Sequence, residues 1–85
     1  MVTSTDTILI VDDDELITSA FDAILEASGW ENRVIVTDPR EVMDVVRRGR
    51  ISAILLDLHM PHITGRELLE QITAERPDIP VIILT

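Results

Sequence analysis

Short, uninterrupted apolar runs that alternate with helical patterns constrain the fold of this chain more than any other feature. The runs are Thr7–Val11, Ser52–Leu56 and Ile79–Leu84. A strand with one face in water alternates between apolar and polar residues, whereas a strand covered by helices on both faces is apolar throughout. The runs therefore predict strands of a parallel sheet that lies between helices.

A helix is predicted between the first two strands, from about Asp14 to Ser28. Asp14 is a suitable N-cap, and Gly29 can end the helix in the left-handed conformation. Apolar residues recur at helical spacing and predict a broad inward stripe, made of Leu16, Ile17, Ala20, Phe21, Ile24, Leu25 and Ala27. A strand is expected next, at Arg33–Val36.

Two further helices begin with recognisable start signals. Asp38-Pro39-Arg40-Glu41 combines an N-cap, a proline at the first helical position and a glutamate that can complete a capping box. Thr64-Gly65-Arg66-Glu67 is a second capping box, with Thr64 as the N-cap and Glu67 as the glutamate that completes it. Gly49 and Pro77 mark the ends of these two helices.

The order β-α-β-α-β-α-β predicts an α/β fold with a doubly wound parallel sheet, flavodoxin-like, with strand order 2-1-3-4. Strand 4 would be an apolar edge strand that is only partly covered. Such an edge invites pairing with another chain, so self-association through strand 4 is an expectation.

Acidic residues stand where two of the strands end. Asp12 and Asp13 follow strand 1, and Asp57 follows strand 3. Taken alone, Asp12 and Asp13 are more typical of the acids that favour a helix N-terminus. If strands 1 and 3 are neighbours, however, the three carboxylates meet at the switch point where such sheets bind ligands. Their mutual repulsion then predicts a bound cation, while Asp14 and Glu15 serve the helix.

Composition excludes several classes of function. The length of 85 residues allows one domain, and the absence of cysteine excludes disulfides and thiolate metal sites and fits a cytoplasmic location. The formal net charge of −9 argues against direct nucleic-acid binding. No apolar run approaches the length of a membrane span, so no membrane partner is expected.

The chain resembles the receiver domain of bacterial two-component response regulators. The resemblance rests on three segments that occur in the family's order and spacing: Ile8-Leu9-Ile10-Val11-Asp12-Asp13-Asp14, Leu55-Leu56-Asp57-Leu58-His59-Met60-Pro61 with Gly65, and Pro80-Val81-Ile82-Ile83-Leu84-Thr85. It implies a phosphorylation-controlled signalling switch, a response regulator in a phosphorelay, rather than an enzyme.

The resemblance also implies roles for single residues. Asp57 would accept a phosphoryl group from the phosphohistidine of a sensor histidine kinase. Asp12 and Asp13 would hold Mg²⁺ together with Asp57 and the backbone carbonyl of His59, whose side chain is expected to stay at the mouth of the site. Thr85 would be the switch hydroxyl that binds the phosphoryl group.

The family pattern continues beyond Thr85. Receivers usually add a helix, a fifth strand and a last helix, which carry a lysine that pairs with the phosphoryl group. The chain contains no lysine. The expectation is therefore an incomplete receiver, residues 1–85, which would control an attached or partner effector, such as a transcription regulator, encoded beyond Thr85.

Two alternatives remain open at this point. A phosphatase of the haloacid dehalogenase type would use Asp12 as its nucleophile in an Asp-x-Asp motif with Asp14. A receiver-like fragment without the family's lysine would act by protein–protein interaction and would not be phosphorylated.

Overall fold

The computed structural model describes residues 7–84, in which strands and helices alternate along the chain. The elements are β1 (Thr7–Val11), α1 (Glu15–Ala27), β2 (Asn32–Val36), a 3₁₀ turn (Pro39–Glu41), α2 (Val42–Arg48), β3 (Ile51–Leu56), α3 (Gly65–Glu75) and β4 (Val81–Ile83). Within these residues, no helix combines the length and apolar character that crossing a membrane requires.

The strands form one parallel sheet in the order β2-β1-β3-β4, which confirms the predicted fold. Val11, the last residue of β1, is aligned with Val36 of β2 and with Leu56 of β3. The C-terminal ends of these three strands therefore lie side by side. Residues that follow the strands are brought together at this edge.

Alternate side chains of β1 enter two separate cores. Leu9 and Val11 belong to a large cluster that includes residues of α2 and α3, whereas Ile8 and Ile10 pack with residues of α1. Because successive side chains of a strand point to opposite faces, α1 covers one face of the sheet, and α2 and α3 cover the other. The continuous apolar runs are explained by this double cover.

Helix α1 buries a narrower stripe than the sequence predicts. Phe21 and Leu25 pack on the sheet, but Leu16 is 83% exposed and Ile24 is 58% exposed. On the flank of α1 opposite Leu16 and Ile24, Asp22 forms an ion pair with Arg33 of β2, whose Nε lies 2.6 Å from Asp22 Oδ1. This ion pair holds the Asp22 flank towards β2. The apolar stripe of α1 is therefore wider than the face of the helix that contacts the sheet.

The predicted N-cap residues are confirmed at all three helix starts. Asp14 caps α1 by accepting a hydrogen bond from the backbone N–H of Leu16 at 2.9 Å. Thr64 caps α3 through the N–H of Glu67 at 3.2 Å.

The third start differs in its partner and in its helix type. The Asp38 carboxylate binds the guanidinium and the backbone N–H of Arg40, and these bonds lower the pKa of Asp38 to about 2. The predicted Asp38 cap with Pro39 at the first position is confirmed, the first turn is 3₁₀, and the hydrogen bonds described for this turn do not include the one from the Asp38 N–H to Glu41 that a complete capping box needs.

Strand β4 is shorter than its apolar run. Pro80 cannot donate to a neighbouring strand, although its carbonyl accepts from Ile54 at 3.0 Å, so regular pairing starts at Val81. In the described residues β4 pairs with β3 alone, and Ile82 is 53% exposed. The prediction of a partly covered edge strand is confirmed.

Candidate metal centre

Backbone hydrogen bonds fix the positions of two acids at the C-terminal edge of the sheet. The N–H of Asp57 donates to the carbonyl of Val11 at 2.9 Å, and the N–H of Asp12 donates to the carbonyl of Val36 at 3.3 Å. Both bonds continue the strand pairing by one residue. The end of β1 is thus held from both sides, and Asp57 lies beside the peptide that leads into Asp12.

The carboxylates of Asp12, Asp13 and Asp57 form one cluster. One oxygen of each lies within 4.8 Å of the others. Asp12 is 1% exposed and Asp57 is 7% exposed, whereas Asp13 is open to solvent. The sequence prediction that these three acids converge is therefore correct, and two of them are withdrawn from water.

The charges in this cluster are crowded. Burial raises the pKa of Asp12 above its usual value, the N–H of Asp14 counteracts this, and the neighbouring carboxylates of Asp57 and Asp13 raise it further. At the observed spacing, each pair of ionised carboxylates repels by roughly 3 to 4 kcal/mol at an effective dielectric constant near 20. A cation placed among them would remove this cost.

The donor set fits a hard divalent cation such as Mg²⁺. All three donors are carboxylate oxygens, and Mg²⁺ prefers oxygen ligands and retains several waters. The exposed position of Asp13 leaves the mouth of the cluster open to such waters. Asp12, Asp13 and Asp57 are the residues that could hold the ion.

His59 is placed beside the cluster through its backbone. Its N–H donates to Oδ1 of Asp57 at 3.1 Å, and its side chain is exposed. Its ring nitrogens do not belong to the group of candidate metal ligands found among residues 7–84. The use of the His59 carbonyl as a ligand stays a prediction.

The neighbouring acids have structural positions. Asp14 caps α1, as predicted, and Glu15 lies in the first turn of that helix, where a negative charge is favourable. Neither belongs to the carboxylate cluster. Thr85, predicted to be the switch hydroxyl, lies outside the described residues.

The loop between β3 and α3 has two features that sequence reasoning missed. His62, in this loop, has a positive φ of 69°. Gly65, which follows the N-cap Thr64, packs directly against the backbone of Asp57 and Leu58. A glycine immediately after a helix N-cap is a poor helix former, and this could have signalled a packing reason.

Comparison with known proteins gives a consistent family assignment. The family model described as "Response regulator receiver domain" matches residues 8–85. A protein-glutamate methylesterase/protein-glutamine glutaminase of Anaeromyxobacter dehalogenans is 38% identical over 76 residues, which are 89% of this chain and 21% of that protein. The response regulator MprA of Mycolicibacterium vanbaalenii is 32% identical over 78 residues, 92% of this chain and 33% of MprA.

Solved structures agree with the sequence comparisons. The response regulator TrrA of Thermotoga maritima, solved in complex with Mg²⁺-BeF, superimposes with a TM-score of 0.88 at 28% identity, covering 94% of this chain and 69% of TrrA. TrrA has also been solved in complex with the histidine kinase ThkA. The chain thus spans a third or less of the two curated relatives and about two thirds of TrrA.

Proposed function

Because the chain belongs to the response regulator receiver domain family, we propose that it is a phosphorylation-controlled switch in which Asp57 accepts a phosphoryl group in the cytoplasm. The observation that carries this proposal is the convergence of Asp12, Asp13 and Asp57 at one sheet edge. The family as such is a signalling switch, and the methylesterase named above extends far beyond the matched segment.

The proposed reaction is a transfer between two nucleophiles. A carboxylate oxygen of Asp57 attacks the phosphorus of a phosphohistidine, the P–N bond breaks, and the electron pair of that bond leaves with the imidazole nitrogen. The product is an acyl phosphate on Asp57. Bound Mg²⁺ would neutralise charge on the phosphoryl oxygens and on the attacking carboxylate.

The residues of the chain prepare this reaction by orientation. The His59 N–H holds one oxygen of Asp57, and the Asp57 N–H is held by Val11. Burial of Asp12 and Asp57 limits water on the protein side of the cluster. The nucleophile is therefore fixed before a phosphoryl donor arrives, which is how positioning contributes to phosphoryl transfer.

We propose a sensor histidine kinase as the phosphoryl donor. The complex of the similar regulator TrrA with the kinase ThkA supports this partner. Most of the methylesterase and of MprA lies outside the segment matched by this chain. This arrangement supports the proposal that the switch controls an attached or partner effector.

The comparisons do not favour the two alternative functions. One of them is a receiver-like segment that acts by protein–protein interaction without being phosphorylated. The dehalogenase-type alternative is not favoured, because the family match covers residues 8–85 and Asp12 is almost fully buried.

Phosphorylation by acetyl phosphate in the presence of Mg²⁺ tests these functions. Intact-mass measurement is expected to show one added phosphoryl group on the wild type and none on Asp57→Asn. An unmodified wild type would support the interaction function. Modification that survives Asp57→Asn and is lost in Asp12→Asn would instead support the dehalogenase type.

A further inference from the structure

Gly65 lies where no other residue fits without moving the backbone of the candidate phosphoacceptor. A Cβ added at Gly65 would approach the carbonyl oxygen of Asp57 and the Cα of Leu58 far more closely than real Cβ atoms do, and it would lie 2.9 Å from the carbonyl carbon of Asp57. All three atoms belong to the main chain. No side-chain rotation can relieve the overlap.

The requirement for glycine at this position is one of space. Among the described glycines, only Gly29 has a positive φ, so the backbone conformation of Gly65 does not by itself demand glycine. Gly65 is also the first residue of α3, where glycine is a weak helix former. Close approach of the helix start to the Asp57–Leu58 peptide is the feature that glycine makes possible.

This contact is connected to the carboxylate cluster through the Leu58–His59 peptide group. The Gly65 N–H donates to the Leu58 carbonyl at 3.1 Å. The N–H of the same peptide group, which belongs to His59, donates to the Asp57 carboxylate at 3.1 Å. The start of α3 thus contacts the Asp57–Leu58 peptide and holds the Leu58–His59 peptide by a hydrogen bond, while the Asp57 N–H is held by Val11 of β1.

We infer that Gly65 is a positioning residue: its lack of a side chain lets α3 press on the Asp57–Leu58 peptide and so sets the place of the Asp57 carboxylate and of the His59 backbone. A displacement of about 1 Å in such a site can cost up to about a hundredfold in activity. The inference deepens the proposed function, on which its phosphoryl-transfer consequence rests. Its consequence for metal binding does not depend on phosphorylation.

Gly65→Ala tests the inference against two control variants. Gly29→Ala places a Cβ in open space at a φ of +92°, so it strains the backbone far from the acids. Thr64→Ala removes the cap of α3 and leaves the Gly65 contact in place. Both controls lower stability without crowding Asp57.

Calorimetric titration with Mg²⁺ is the first readout. We expect Gly65→Ala to bind Mg²⁺ about tenfold or more weakly, because the Asp57 carboxylate is displaced. Gly29→Ala is expected to stay within about twofold of the wild type, because distant sites act independently. Equal Mg²⁺ affinity in Gly65→Ala and the wild type would overturn the inference.

Amide hydrogen exchange at His59 is the second readout, and it needs no metal. Gly65→Ala is expected to lose protection of the His59 N–H. In the two control variants this protection should fall only as far as the free energy of unfolding of the whole domain falls. If acetyl phosphate fails to modify the wild type but these two readouts respond to Gly65→Ala, the proposed function fails and the positioning role stands. Unchanged protection would count against the positioning role.

A wild-type measurement covers the case in which Gly65→Ala does not fold. In an NMR titration with Mg²⁺, the amide resonance of Gly65 is expected to move with the same midpoint as that of His59, because the Leu58 carbonyl links them. A Gly65 amide that stays still while His59 moves would show that the two are not coupled and would overturn the inference.

Discussion

The carboxylate oxygen Oδ1 of Asp12 accepts a hydrogen bond from the backbone N–H of Asp14 at 2.9 Å. The same side chain therefore belongs both to the acid cluster and to the turn that leads into α1. An asparagine at this position keeps an acceptor oxygen for the turn and removes only the charge. Asp12→Asn is for this reason a suitable probe of the electrostatics of the site.

Asp12→Asn is expected to stabilise the metal-free protein at neutral pH, because it removes a buried negative charge that lies beside the carboxylates of Asp57 and Asp13. The folded state raises the pKa of Asp12 above 3.8. Ionised Asp12 therefore destabilises the fold fully above the folded pKa, and this cost disappears as the pH falls through the folded pKa towards 3.8.

Urea unfolding in a chelator at a series of pH values checks this expectation. The difference in the free energy of unfolding between Asp12→Asn and the wild type should be largest near neutral pH. It should vanish as the pH falls to 3.8, the pKa of Asp12 in the unfolded chain. A difference that does not change with pH would mean that the substitution acts by packing and not by charge.

Mg²⁺ is expected to stabilise the wild type against thermal unfolding. At ten times its dissociation constant, an ion that binds only the folded state contributes about 1.4 kcal/mol. For a domain of this size such a gain raises the melting temperature by roughly 6 to 11 °C. Asp12→Asn should show little of this shift, and an equal shift in both proteins would place the ion elsewhere.

Asp13 and Asp14 are adjacent acids, and the structure predicts that replacing them affects different properties: Mg²⁺ binding for Asp13 and stability for Asp14. Asp13→Ala should weaken Mg²⁺ binding by about tenfold, equivalent to about 1.4 kcal/mol, with little loss of stability. Asp14→Ala removes the cap of α1 and should cost about 1 kcal/mol of stability without changing Mg²⁺ affinity.

Calorimetry and urea unfolding of the two variants separate these effects. Trp30 fluorescence is the poorer readout, because Trp30 precedes β2 and packs at the opposite end of the strands from the acids. Loss of Mg²⁺ affinity in Asp14→Ala to the same degree as in Asp13→Ala would contradict the division of roles.

The sequence predicted the sheet and the acid cluster because both follow from local patterns. Continuous apolar runs identified the strands, and Asp12 and Asp57 each mark the residue at which a run stops. For the expected strand order 2-1-3-4, right-handed crossover connections then place helices on both faces of the sheet. The burial of Asp12 and the exposure of Asp13 also agree with a site at the strand ends.

Features that depend on how elements pack together could not be predicted in this way. The periodicity of α1 does not reveal that the helix flank with Leu16 and Ile24 projects beyond the sheet. The capping pattern likewise does not reveal that the Arg40 guanidinium donates to the Asp38 carboxylate. The contact of Gly65 with the Asp57–Leu58 peptide exists only once α3 is placed on β3.

His62 has a left-handed backbone, with a φ of 69°, which costs a residue with a side chain about 1 to 2 kcal/mol. His62→Gly relieves this cost, partly offset by the greater freedom of glycine in the unfolded chain, so a net gain of up to about 1 kcal/mol is expected. His62→Val should destabilise the protein, because a β-branched side chain tolerates this conformation least.

Chemical denaturation of His62→Gly, His62→Val and the wild type checks the order of stability. Because the ring of His62 is exposed, the loss of its side-chain contacts should change the free energy of unfolding only slightly. Destabilisation by glycine that matches destabilisation by valine would show that the imidazole, and not the backbone, determines stability at this position.

Strand β4 is expected to mediate self-association of the 85-residue chain. Ile82 is aligned with the buried Leu55 of β3 and is itself largely exposed, and β4 has a free edge within residues 7–84. Unpaired edges with apolar side chains template pairing with a second copy. The net charge of −9 opposes this contact, so added salt should strengthen it.

Sedimentation velocity at micromolar concentrations, at low and high salt, tests this expectation with a matched pair of variants. Ile82→Lys places a charge on the edge strand and should restore the monomer. Ile24→Lys alters an isoleucine of similar exposure on α1 and should leave the association in place. Because both variants change the net charge equally, a monomer in both would assign the effect to charge, and only a difference between them assigns it to the edge of β4.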